Sequence, residues 1–183
     1  SRRDSRTMYQ EFYGLDADPF RLSPDHNYCL RHPSFKKAKA YMQFAAHRAE
    51  GFVMITGRPG TGKTTLIEDV LSEIEGPEVL AAKLVSAQLH ADDLLRMAAF
   101  NFGIAAGDKS KSGLLVEMQE FFSDRLADGQ RPLLVVDEAQ GLSLNALEEL
   151  RLLTNLSLDG QPMLQVFLVG QEELRDLVLD PQM

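Results

Sequence analysis

Eight consecutive residues, Gly57-Arg58-Pro59-Gly60-Thr61-Gly62-Lys63-Thr64, have the composition and spacing of an anion trap. They satisfy G-x-x-x-x-G-K-[ST]. Glycines allow the backbone to curl so that successive N–H groups converge on one charge. A helix beginning at the end of such a loop turns the positive end of its dipole toward the same point. In this reading the ligand is ATP with Mg2+. Lys63 neutralises the β- and γ-phosphates, and the Thr64 hydroxyl ligates the metal. Thr65 either adds a hydroxyl contact or caps the helix. The competing interpretation is a chance glycine-rich turn, and the apolar run before it and helical pattern after it weigh against that.

A second constellation lies downstream. Leu133-Leu134-Val135-Val136-Asp137-Glu138 is an apolar run that delivers two carboxylates at its end. In open α/β sheets ligands bind at the carboxyl ends of the strands, so these acids are expected beside the phosphate loop. Asp137 is the expected magnesium partner, acting through water or together with Thr64. Glu138 would polarise the attacking water, or alternatively serve a helix start as a dipole-compensating acid. An acid in that place favours hydrolysis over transfer to a substrate hydroxyl. Gln171, just past another apolar run and Gly170, would orient the water or touch the γ-phosphate; an exposed loop amide is the equal alternative. Arg58 reads as solvated. Arg151 and Arg175 read as surface salt-bridge partners, with action on a neighbouring subunit's nucleotide as the sharper option. His26, His32, His47 and His90 lack metal-ligand spacing.

These groups need elements to hold them. Phe52 to Ile55, Val79 to Val85, Leu133 to Val136 and Leu164 to Val169 read as strands, the first buried and the third covered on both faces. Between them, Thr64 to Glu75 reads as a helix with Leu66, Val70, Leu71 and Ile74 on its apolar stripe, ended by Gly76 and Pro77. Asp92 to Phe102 and Leu114 to Leu126 read as amphipathic helices, the latter with Leu115, Met118, Phe122 and Leu126 on one face. Asn145 to Leu156 carries Leu147, Leu150 and Leu153 inward. Glu172 to Leu179 reads as a short helix. Upstream, Tyr9 to Phe20 is an aromatic, turn-rich segment laid on a core, Pro24 and Asp25 continue irregular chain, and Phe35, Ala38, Met42 and Ala45 recur at helical spacing. Strands alternating with helices imply parallel pairing through crossovers, hence an α/β sandwich of three layers.

Composition narrows the class. The 183 residues are 44% hydrophobic and 25% charged, ordinary for a globular domain. Nineteen basic residues against 27 acidic ones leave a net charge of −8, which disfavours duplex DNA and anionic membranes as partners. Cys29 is the single cysteine, so no internal disulfide is available. No apolar run approaches the roughly 20 residues of a membrane span. The expectation is a cytoplasmic protein, with peripheral attachment at the inner membrane as a variant.

Several blocks resemble a known family. Met8-Tyr9-x-x-Phe12-Tyr13-Gly14-Leu15, Pro19-Phe20, Pro24-Asp25, Gly51-Phe52 into Thr56-Gly57 and the phosphate loop are similar to AAA+ ATPases of the general secretion pathway protein A, or ExeA-like, kind. So are Val136-Asp137-Glu138-Ala139-Gln140 and Leu147-Glu148-Glu149-Leu150-Arg151. Leu84-Val85-Ser86-x-Gln88-Leu89 and Leu164-Gln165-x-Phe167-Leu168-Val169-Gly170-Gln171 resemble its branch tied to PEP-CTERM and exosortase loci.

The resemblance implies a P-loop NTPase fold, an AAA+ core of α/β/α layers, with Gln171 at the first sensor position and an N-terminal segment that seats adenine. It implies partners in an inner-membrane export machinery for proteins or exopolysaccharide, and nucleotide-dependent homo-oligomers. Pro59 departs from the residue common in that family's loop. The fifth strand and helical lid of the family lie beyond Met183, so a lid is expected to be missing from this chain. The expected organisation is a tag or disordered arm at 1–7, an aromatic segment and linker helix at 8–50, and the ATPase core at 51–183. Two rivals remain at this stage: a nucleic-acid-linked ATPase of the initiator or transposition-regulator type, and a nucleotide-holding scaffold without catalysis.

Overall fold

A computed structural model of the chain describes residues 27–31, 39–40, 43, 51–57, 63–74, 76–86 and 89–174. Strand β1 (Asn27–Arg31) precedes β2 (Phe52–Thr56), helix α1 (Lys63–Ile74) and β3 (Val79–Val85). Two helices follow, α2 (Ala91–Asn101) and α3 (Lys111–Ala127), then β4 (Arg131–Asp137) and a 3₁₀ turn at Ala139–Gly141. Helix α4 (Leu144–Thr154), the two-residue strands β5 (Ser157–Leu158) and β6 (Gln161–Pro162), and β7 (Gln165–Gly170) complete the order. The five long strands form one sheet in the order β1-β2-β7-β4-β3, every neighbour parallel.

Alternation along the strands explains the layers. In β2, β4 and β7 the residues Val53, Ile55, Leu133, Val135, Phe167 and Val169 face one way and pack with Leu66, Ile67 and Val70 of α1. Phe52, Met54, Leu134, Val136, Val166 and Leu168 face the other way, against α2, α3 and α4. Both faces are covered, which is why these strands are continuously apolar rather than alternating. The three-layer α/β sandwich with a parallel sheet is therefore the fold.

Helix positions follow from local signals. Ser110 caps α3 by accepting from the Gly113 N–H at 3.2 Å, and Ser143 caps α4 by accepting from the Ala146 N–H at 3.1 Å. Leu147, Leu150 and Leu153 are fully buried on α4, as their spacing requires. In α3 the innermost stripe is Leu114, Met118 and Phe122; Leu115 and Leu126 are only partly buried, so the face is rotated slightly from the one read in the sequence. Phe102, Phe121 and Phe122 meet edge-on or tilted at its far end.

Two elements depart from the sequence reading. Residues 27–31, to which the sequence reading assigned no element, form β1 at the sheet edge, paired in register from Asn27↔Phe52 to Arg31↔Thr56. The segment before β7 makes a small antiparallel hairpin, β5–β6, around Asp159 (φ 51°) and Gly160 (φ 78°). Asp-Gly with both residues left-handed is the favoured two-residue hairpin turn. The aromatic segment Tyr9 to Phe20 and the stretch from Arg175 onward lie outside the described residues. Of the helix expected near Phe35 to Ala45, Lys39, Ala40 and Gln43 are described and are helical. Lys39 Nζ stands 2.7 Å from Asp69 Oδ2 and also meets Glu73, and Gln43 donates to Glu73. Among the described residues no helix is long and apolar enough to cross a membrane.

Candidate functional site

The site is a property of one sheet edge. Strands β2, β7 and β4 are adjacent and parallel, so their carboxyl ends lie side by side. Neighbouring strands are about 4.8 Å apart, which sets the ends of β2 and β4 about 10 Å from each other with the end of β7 between. Thr56 pairs with Gly170, and the Gly57 N–H donates to the Gly170 carbonyl at 3.1 Å. Gly57 is buried there, one residue past β2, where the glycine loop leaves the sheet. Arg58, Pro59, Gly60, Thr61 and Gly62 lie outside the described residues. Helix α1 opens at Lys63 and Thr64, so the backbone N–H groups of its first turn are free of intrahelical partners. Thr65 is exposed within that turn rather than at the capping position.

Two strands away, Asp137 ends β4 and is 3% exposed. Its Oδ1 accepts from the Glu138 N–H at 2.8 Å. Glu138 adopts a left-handed backbone, φ 53° and ψ 38°. That conformation is uncommon for a side chain of this kind and costs on the order of 1 kcal/mol or more, so its surroundings must hold it. They do so through the 3₁₀ turn that follows. The Gly141 N–H donates to the Glu138 carbonyl at 3.0 Å, and the Gln140 side-chain amide donates to Glu138 Oε2. The same amide accepts, through Oε1, from the Gln171 N–H at 3.0 Å. The end of β7 is thus tied to the acid at the end of β4.

Two glycines make this closeness possible. A Cβ on Gly170 would lie 2.7 Å from Gln140 Oε1 and 3.1 Å from the Gln140 backbone nitrogen. A Cβ on Gly141 would lie 2.8 Å from the Ser86 carbonyl oxygen. Ser86 follows β3, donates its N–H to the Asp137 carbonyl at 3.0 Å, and is 3% exposed. The turn is therefore wedged between the ends of β3 and β7.

The structure brings Gly57, the start of α1, Asp137, Glu138 and the Gln171 backbone to a common edge. Arg151, on α4, stands 3.7 Å from Glu148 in an i,i+3 pair. Sequence reasoning gave no role to Gln140, Ser86, Gly141 or Gly170. Gln140, Ser86 and Gly170 entered only as members of the blocks that resemble the family, without a role, because their partners lie on other elements of the fold.

The donor chemistry suits magnesium. The buried Asp137 carboxylate offers hard oxygen donors. Magnesium takes such donors, keeps several waters and leans on substrate phosphates rather than on an all-protein cage.

Comparison with known proteins adds an independent view. A family model described as "AAA domain" matches residues 46–178. The chain is 35% identical over 175 residues to "General secretion pathway protein A" of Aeromonas hydrophila, an alignment covering 95% of this chain and 32% of that protein. The chain thus spans about a third of the length of that relative. Two solved structures of the Aeropyrum pernix ORC2 protein share the fold. The ADPNP-ADP form has a TM-score of 0.61 at 19% identity, over 80% of this chain and 43% of the other. The ADP form has a TM-score of 0.56 at 18% identity, over 94% of this chain and 49% of the other.

Proposed function

This chain belongs to the AAA domain family, and from that premise we propose that it binds Mg-ATP at Gly57 to Thr64 and hydrolyses it. The observation that carries the proposal is the shared carboxyl edge of β2, β7 and β4, where the phosphate loop departs and two acids arrive. The loop from Gly57 through Arg58, Pro59, Gly60, Thr61 and Gly62 to Lys63 wraps the phosphates; its N–H donors exclude Pro59, which has none, and Gly57, whose N–H is held by Gly170, and Thr65 lies beside them. Lys63 offsets charge on the β- and γ-phosphates. Asp137 and the Thr64 hydroxyl would hold magnesium, which would supply charge neutralisation at the phosphates. Glu138 takes the proton of the attacking water through an oxygen that Gln140 leaves free. The water oxygen bonds to the γ-phosphorus while the bond to the β-phosphate oxygen breaks and ADP departs. Gln171, at the end of β7, orients the water or the γ-phosphate.

The cycle serves a larger assembly in this proposal. Similarity to general secretion pathway protein A supports a role in a secretion system, and the proposal extends it to assembling or energising an envelope secretion, protein-sorting or exopolysaccharide export system with inner-membrane partners and nucleotide-dependent homo-oligomers. The PEP-CTERM and exosortase assignment rests on the block resemblances alone. The division into an N-terminal segment at 8–50 and a core at 51–183 is part of the proposal; the pairing of β1 with β2 and the ion pair of Lys39 with Asp69 join the two parts. An arginine reaching across from a neighbouring subunit is worth about 10³- to 10⁵-fold in rate, so the monomeric chain should bind nucleotide and turn it over slowly.

The test pairs two variants. Glu138→Gln should retain bound ATP while phosphate release falls about 10²- to 10⁴-fold. Lys63→Ala should instead weaken nucleotide binding itself, measured by calorimetry. Unchanged turnover in the first variant would remove Glu138 from the reaction.

A further inference from the structure

Gln140 lies two residues past Glu138, at the carboxyl edge of the sheet. It sits in the 3₁₀ turn Ala139–Gly141, pinned by glycine contacts on both sides: Gly141 against the Ser86 carbonyl and Gly170 against Gln140 itself. The turn has no room to slide, so the position of the Gln140 side chain is set by backbone packing rather than by its own rotamer preference.

Its amide has a forced orientation. The Gln171 N–H is an obligate donor, so Oε1 must face it, at 3.0 Å. Nε2 is then obliged to face Glu138, an obligate acceptor when ionised, and it donates to Oε2. Reversing the amide would set donor against donor at one end and acceptor against acceptor at the other. One planar group thus fixes the carboxylate of Glu138 relative to the end of β7, and leaves Oε1 of Glu138 for water.

We propose that Gln140 is a positioning residue for hydrolysis: its amide holds the Glu138 carboxylate in the geometry for water activation and couples it to the β7 terminus at Gln171. The proposal rests on the hydrolytic role of Glu138 given above. Gln140 touches no reacting atom and acts through the acid.

Gln140→Met keeps the length of the side chain and removes both the donor and the acceptor. In steady-state phosphate release with radiolabelled ATP, kcat should fall about 10- to 100-fold, the range expected when a general base is misplaced by about 1 Å. KM and the affinity for ADP should change less than about 2-fold, since no phosphate contact is lost. In a Glu138→Gln background the same substitution should cost nothing further, because the acid it positions is already gone. An unaltered kcat, a fall in kcat matched by a rise in KM, or an equal loss in both backgrounds would each overturn the proposal.

Should Gln140→Met unfold the protein by circular dichroism, Gln140→Glu carries the test. It preserves volume and the acceptor for Gln171, and places a second carboxylate against Glu138. The same selective loss of kcat is expected, and wild-type turnover in a folded Gln140→Glu protein would refute the role. An inactive wild-type protein would instead sink the hydrolase reading, which is a different result from an active wild type indifferent to Gln140.

Discussion

Replacing Gly170 with alanine tests whether the end of β7 is held as close to the acid turn as the structure places it. The backbone of Gly170 is not left-handed, so the penalty is steric rather than conformational. The added methyl would meet Gln140 Oε1 at 2.7 Å, the Gln140 backbone nitrogen at 3.1 Å and Leu174 Cδ2 at 3.2 Å. Rotating the Gln140 side chain away relieves the first contact but breaks its bond to the Gln171 N–H, worth about 0.5–1.5 kcal/mol. The second contact is with backbone and can be relieved only by moving the turn, an overpacking cost of about 1–3 kcal/mol. Together these predict a loss of about 2–4 kcal/mol. For a chain of this size each kcal/mol lowers Tm by about 2–4 °C, so the melting temperature should drop by about 5–15 °C in a thermal scan. Gly76→Ala is the control. No heavy atom lies within 4 Å of its added Cβ, and Tm should stay level or rise slightly. A Gly170→Ala protein melting within about 2 °C of wild type would refute the close packing of β7 on the turn.

Two further outcomes follow from packing and charge. Leu150→Ala, at a fully buried position on α4, should destabilise by about 2–5 kcal/mol without changing ADP affinity in the folded protein, as read by denaturant midpoints and calorimetry. Lys39 has its pKa raised above 10.5, first by its hydrogen bond to Asp69 and then by that to Glu73. A raised folded value stabilises below the unfolded pKa and is lost only as pH climbs through the folded one. The Tm difference between wild type and Lys39→Met should therefore be constant from pH 6 to 9 and shrink above pH 10.5, and a change of several degrees inside pH 6–9 would contradict it.

The long central strands were legible because their physics is local. β2, β4 and β7 differ from expectation only at their ends, and the edge strand β3 has the expected bounds Val79–Val85 although it carries Lys83. A strand buried on both faces must be apolar at every position, and that is visible without knowing its neighbours. The inward face of α4 was visible for the same kind of reason: Leu147, Leu150 and Leu153 repeat at helical spacing. β1 was not visible. Asn27–Arg31 has mixed polarity and turn-rich flanks, and it becomes a strand by pairing with β2 some 25 residues later in the chain. The β5–β6 hairpin was in principle readable from Asp159-Gly160, a turn signal that the apolar-run reading passed over.

What the sequence by itself determined was the inventory: a phosphate-loop pattern, a strand ending in two acids, and elements of the kind and order that make a parallel sandwich. These are choices of residue type and local spacing, and the chain carries them without folding. Tertiary structure decided the adjacency. Strand order β2-β7-β4 placed the end of β7 between the loop and the acids, put Gly170 against Gln140, and gave Gln140 its two partners. The Gly170 and Gln171 contacts reach Gln140 from about 30 positions away, and hydrogen-bond direction between distant groups is set by register and packing, which no local pattern encodes.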